Sequence, residues 1–62
     1  MDSAKFWQAC NRLSRDDVVV LLEDVGIQCY DDETMDILIE ALRANVDDGT
    51  ISLETVIQKS TG

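Results

Sequence analysis

The stretch VGIQCYDDETMD, residues 25–36, sets Cys29 and Tyr30 beside Asp31, Asp32, Glu33 and Asp36, with Glu40 four residues further on. Grouped carboxylates of this kind can hold a hard cation, exchange protons in a general acid–base step, or display negative charge. Each use demands companions that a sequence either supplies or lacks.

Cation binding lacks them. There is no histidine, and no Cys-x-x-Cys or Cys/His set reads as a zinc site. DDGTIS, residues 47–52, is similar to the second half of a calcium-binding EF-hand loop. Setting Gly49 on the loop glycine puts Ala44, Val46 and Thr55 at the first, third and last ligand positions. Calcium needs about six to eight oxygens, with a bidentate glutamate at the last position. The match is to a turn, and no metal or other cofactor is expected. Catalysis is no better served. Without histidine, a neutral-pH base must be a carboxylate raised by burial or a thiolate lowered by cations. Cys10 has Arg12 nearby but no further partner, and no glycine-rich phosphate loop is present. No catalytic residue is assigned, and an enzyme is not expected.

The third use, charge display, suits the composition. The 62 residues carry thirteen acids and five bases, a formal charge of −8. The imbalance is uneven: from Asp16 to Glu54 there are twelve acids and a single base, Arg43, whereas Lys5, Arg12 and Arg15 precede it. Such a body repels nucleic acid and anionic membrane, whose binding rests on Lys and Arg displacing counterions. It attracts basic surfaces and speeds encounter with them. Solubility alone is the competing use of the same charge.

The elements that position these residues read as helices. Residues 1–62 suffice for one domain with a small core. No run approaches the roughly 20 apolar residues of a membrane span, so a cytoplasmic protein is expected. Cys10 and Cys29 read as reduced, partly buried thiols. The fold class is all-α, a bundle of four short helices over residues 3–13, 15–25, 32–46 and 52–58. The first carries Phe6, Ala9, Cys10 and Leu13 on one stripe, with Trp7 at its edge. Ser14 reads as the N-cap of the second, with Asp17 three residues on as a short-armed analogue of a capping box, and Gly26 ends it. Val18, Leu21, Leu22 and Val25 face one side. The third turns Met35, Leu38, Ile39, Leu42 and Val46 inward and Ile37, Ala41 and Ala44 to nearly the opposite side. A helix apolar on two sides is central in its domain or half-used by a partner. Asp48-Gly49 makes a turn, and Ser52 caps a last helix carrying Leu53, Val56 and Ile57.

On this layout Asp31, Asp32 and Glu33 occupy a helix N-terminus, where unpaired N–H groups favour anions by about 0.3–1 kcal/mol each. Asp32, Asp36 and Glu40 then form an i, i+4, i+8 row with about 6 Å between neighbours. That spacing is comparable to successive phosphates along one nucleic-acid strand, so the row could enter a cationic groove built for DNA or RNA. An ordinary solvated helix face is the simpler use.

The segment 15–43, RDDVVVLLEDVGIQCYDDETMDILIEALR, resembles the SAP, LEM and HeH group of helix–extended loop–helix modules. Leu21, Leu22, Val25, Gly26 and Ile27 match the first helix and its glycine exit; Thr34, Leu38, Ile39 and Leu42 match the entry and Leu-Ile pair of the second. The resemblance covers under half the chain and speaks to fold. The DNA binding that it implies in SAP-type members calls for bases where this chain has Asp31, Asp32, Glu33 and Asp36. The LEM-type use, gripping another protein, survives that departure.

Three functions follow as expectations. The first is a non-enzymatic interaction protein that docks a basic protein surface through Asp31, Asp32, Glu33, Asp36 and Glu40, with Trp7, Tyr30 and Ile37 as apolar anchors. Its sharper form is a phage-type inhibitor, acting in the host cytoplasm by nucleic-acid mimicry. The second is a nucleic-acid-binding module using Lys5, Arg12 and Arg15. The third is a homodimeric subunit paired through Ile37, Ala41 and Ala44.

Overall fold

A computed structural model describes residues 2–62 as four helices: α1 (Ser3–Cys10), α2 (Arg15–Glu23), α3 (Met35–Asp47) and α4 (Leu53–Thr61). There is no strand among the described residues. The all-α expectation is met, with six of the eight helix boundaries moved by one to three residues.

Each helix is started by a short polar side chain. Asp2, Ser14, Thr34 and Ser52 accept the backbone N–H three residues on, satisfying one orphan donor per helix. At Ser14 the capping box is complete. The Ser14 hydroxyl accepts from Asp17 N–H at 3.2 Å and the Asp17 carboxylate accepts from Ser14 N–H at 3.1 Å. α1 stops at Cys10, short of the expected 13, because Arg12 and Leu13 N–H groups bond three residues back, to Ala9 and Cys10. α2 leaves through a Schellman turn: Gly26 N–H donates to Glu23 and Ile27 N–H to Leu22, both at 3.0 Å. Gly26 takes φ +85°, which a side-chain-bearing residue rarely adopts. Val25 falls in this turn and is exposed, so it leaves the apolar stripe expected of α2.

The core gathers Phe6, Val18, Leu22, Leu38, Leu42 and Val56, all essentially without solvent contact. α1 packs on α4 and α2 on α3, while α2 also touches α4. α2 joins the two pairs, since it touches α4 as well as α3. α3 commits Leu38, Ile39 and Leu42 to the core, but Ile37 and Ala44 on its far side meet solvent. Ala41, from the same far strip, is half-buried against the core. The radius of gyration, 10.4 Å, is what a folded 62-residue chain should have, about 10.6 Å.

Candidate functional site

The acidic stretch folds as a turn ahead of α3. The Tyr30 carbonyl accepts from Glu33 N–H at 3.1 Å, and Glu33 Oε1 accepts from Tyr30 N–H at 2.7 Å. Asp31 and Asp32 sit at the two central positions and are exposed. Thr34, not an acid, caps the helix by accepting from Ile37 N–H at 3.3 Å. The expected start at residue 32 is thus three residues early. Only Asp36 lies in the first turn of α3, so the helix-terminus account of Asp31, Asp32 and Glu33 does not hold. Glu33 is used instead to close its own turn.

The same shift breaks the carboxylate row. Asp32 is outside the helix, so only Asp36 and Glu40 keep the i, i+4 relation. A three-charge ladder at regular helical spacing is not present.

The turn is held from outside by Arg15. Its Nη2 donates to the Tyr30 carbonyl at 2.8 Å and to the Glu33 carbonyl at 3.1 Å. Sequence reasoning counted Arg15 among bases available to nucleic acid and missed this role. A signal existed: Arg15 has Val18 and Val19 at i+3 and i+4, so no acid of its own helix can pair with it.

A different set of residues meets between α1 and α3. Trp7 from α1 and Met35, Asp36, Ile39, Glu40 and Arg43 from α3 line a groove of about 550 Å³. Trp7 is 44% exposed. Its ring stands edge-on to the buried Phe6 ring, with centroids 5.3 Å apart and planes at 78°, which fixes its orientation. The Arg43 guanidinium carbon lies 5.7 Å from the Trp7 centroid, near the outer limit of about 6 Å for a cation–π contact. Asp36 and Glu40 make no side-chain hydrogen bond within the described residues and face solvent. The groove thus offers an aromatic face, two carboxylates and an apolar floor from Met35 and Ile39. This arrangement can bind a cation with an apolar stem.

Of the residues expected to contact a partner, Trp7, Asp36 and Glu40 are brought together. Asp31, Asp32, Glu33 and Tyr30 (56% exposed) belong to the preceding turn, and Ile37 (48% exposed) does not line the groove. Arg43 and Met35 were not anticipated as site residues. Trp7 and Arg43 are far apart in sequence, and no short-range pattern announces their meeting.

The bases collect elsewhere. A larger groove, about 740 Å³ between α1 and α4, is bordered by Lys5 and Arg12, and Lys59 stands with Arg12 around a smaller one. Its hydroxyls point inward on their own helix: Ser60 donates to the Ile57 carbonyl at 2.6 Å and Thr61 to the Gln58 carbonyl at 3.1 Å. Arg12 and Lys59 lie by the C-terminal ends of α1 and α4, where cations offset the helix dipole. No His/Cys/Asp/Glu group of three among the described residues is arranged to hold a metal ion. Cys10 and Cys29 are free thiols. The 47–52 turn employs Asp48 for itself, its carboxylate accepting from Thr50 N–H at 2.9 Å. No helix of the described residues is long and apolar enough to cross a membrane.

Compared with protein-family models, with curated proteins and with solved structures, the chain matches none.

Proposed function

We propose that this chain is a non-enzymatic interaction module that docks a basic protein surface, with the α1–α3 groove at the centre of the contact. One observation carries the reading: Trp7 of α1 and the pair Asp36 and Glu40 of α3, about 30 residues apart in the sequence, line the same groove. Aromatic anchors beside desolvatable charges are the usual core of a binding hot spot. The formal charge of −8 adds long-range attraction toward a positive partner and faster encounter. Asp31 and Asp32, held out on the turn that Arg15 braces, extend the acidic surface beyond the groove.

The sharper idea of phosphate mimicry loses its geometric motive, since the row of three carboxylates is not formed. Nucleic-acid binding is disfavoured because Arg15 is engaged with the Tyr30–Glu33 turn, and Arg12 and Lys59 stand by helix ends. A homodimer through Ile37, Ala41 and Ala44 would have little to bury, with Ala41 already half-covered by the core. A cytoplasmic site of action, in a host cell if the chain is phage-encoded, remains part of this reading.

The test is a titration of fluorescein-labelled hexalysine at low salt, followed by anisotropy. The D36N/E40Q variant should lose most of the affinity, while D16N/D24N, of identical net charge, should keep it. Equal losses in the two variants would mean that net charge alone attracts the peptide, and the groove reading would fail.

A further inference from the structure

We infer that the α1–α3 groove selects arginine, and that Arg43 occupies the place which an arginine of the partner takes on binding. This rests on the interaction reading above and deepens it by naming the side chain recognised.

The geometry of Arg43 is the starting point. Its guanidinium carbon is 5.7 Å from the Trp7 centroid, close enough to be attracted and far enough to be loosely held. Arg43 is exposed, and it makes no side-chain hydrogen bond among the described residues. A loosely placed internal cation shows where the groove favours positive charge and is easily moved aside.

The surroundings then discriminate between the two natural cations. A guanidinium is planar, weakly hydrated and forked, so it can lie on an indole face while donating to carboxylates in its own plane. Trp7 supplies the face, held in orientation by Phe6 at 5.3 Å. Asp36 and Glu40, one turn apart on α3, supply two carboxylates on the same wall. Met35 and Ile39 supply apolar surface for the side-chain stem. A lysine ammonium, compact and strongly hydrated, uses the charge but not the face or the fork. Arg43 itself leaves from α3, the same helix as Asp36 and Glu40. It makes no hydrogen bond to either carboxylate while it sits by the ring, whereas an incoming chain can approach the ring and the carboxylates from the solvent side.

The experiment compares labelled hexaarginine with labelled hexalysine against the intact chain at one ionic strength. The emission of Trp7, the only tryptophan, reports occupancy of the groove. Hexaarginine should bind roughly three- to tenfold more tightly than hexalysine and should change the Trp7 emission on saturation. R43Q, which vacates the ring and also removes one positive charge, should tighten hexaarginine several-fold and hexalysine by clearly less. W7L should erase the difference between the peptides, with circular dichroism checking that the helices remain. Equal affinity for both peptides, or an R43Q variant that binds hexaarginine no better, overturns arginine selection and leaves the docking reading intact. Failure of both peptides to bind at low salt overturns the docking reading and the inference with it.

Discussion

Arg15 Nη2 lies 2.8 Å from the carbonyl oxygen of Tyr30, so the first residue of α2 braces the loop that precedes α3. The same nitrogen reaches the Glu33 carbonyl at 3.1 Å, and the two contacts span a turn that also closes on itself through Glu33 Oε1. A guanidinium can do this because it carries several donors in a fixed plane. Replacing Arg15 with methionine keeps much of the apolar stem and removes both donors. We expect a loss of about 1–2 kcal/mol in urea unfolding, since each charge-assisted bond here is partly exposed. Hydrogen exchange at Tyr30 and Glu33 amides should rise more than exchange in α1. An R15M chain as stable as the parent, with those amides still protected, would show that the turn stands without its brace.

The capping carboxylates predict the acid limb of the stability curve. The Asp17 carboxyl is held below its ordinary pKa, first by the hydrogen bond from Ser14 N–H, then by the Ser14 hydroxyl and the charge of Lys59. Asp48 is held low by its bonds to Thr50, side chain first and backbone second. A carboxyl whose folded pKa is depressed contributes stability that is fully present above its unfolded pKa, about 3.9, and is lost as pH falls through the folded value. Relief of the general negative self-repulsion acts in the opposite direction, but it is common to the parent and to a variant lacking two titrations. The difference between wild type and D17N/D48N, where Asn keeps an acceptor and cannot titrate, should therefore be constant above about pH 5. It should shrink as pH drops below about 4. A difference that stays flat down to pH 2 would exclude these two groups from acid unfolding.

Much of the fold was legible because it is written in local chemistry. Ser14 with Asp17, Gly26, Ser52 and the apolar stripe Phe6, Ala9, Cys10, Leu13 all act within a few residues of themselves. The misplaced start of α3 has a local cause too, a choice between competing caps. Asp31, Asp32 and Thr34 are all good N-cap residues, and the tie was broken by the Tyr30–Glu33 turn and by Arg15 from another helix. The site was half legible. Asp36, Glu40 and Trp7 stood out by type, but their convergence depends on how α1 lies against α3, which periodicity within one helix does not specify. Asp32 falls out of the expected row for the local reason, since the helix begins at Met35 behind the Thr34 cap.

Ile51 illustrates the same limit and yields a prediction. It lies in the turn between α3 and α4, yet only 4% of it is exposed. Its N–H donates to the Asn45 carbonyl at 3.0 Å, which swings the side chain under the bundle. A turn residue interrupts any helical stripe, so it drops out of a pattern search for the core. Ile51→Ala should cost roughly 2–4 kcal/mol. A domain of this size has only about 3–9 kcal/mol in total, so the variant should lose a large share of its stability and melt many degrees lower by circular dichroism. A midpoint shifted by less than a few degrees would mean that the turn is not part of the core.

The two thiols give a readout of local opening. Burial raises the Cys10 pKa. Cys29 is raised first by desolvation and then by the charges of Glu23 and Glu33, against which Arg15 pulls it down. Since the thiolate is the reacting form, both should be alkylated more slowly at neutral pH than a free thiol. They should differ in route. Cys29 is half-buried in the loop and can react from the native state, whereas Cys10, at the wall of the α1–α3 groove, is only 8% exposed and far less accessible. Iodoacetamide labelling followed by mass spectrometry should therefore show Cys29 modified first, at a rate that rises with salt as Glu23 and Glu33 are screened. Modification of Cys10 should instead track urea concentration, because this buried thiol is freed mainly as α1 opens from the core. Cys10 labelled as fast as Cys29 in native buffer would show that α1 is not held against the core. Trp7 would then have no fixed place in the groove.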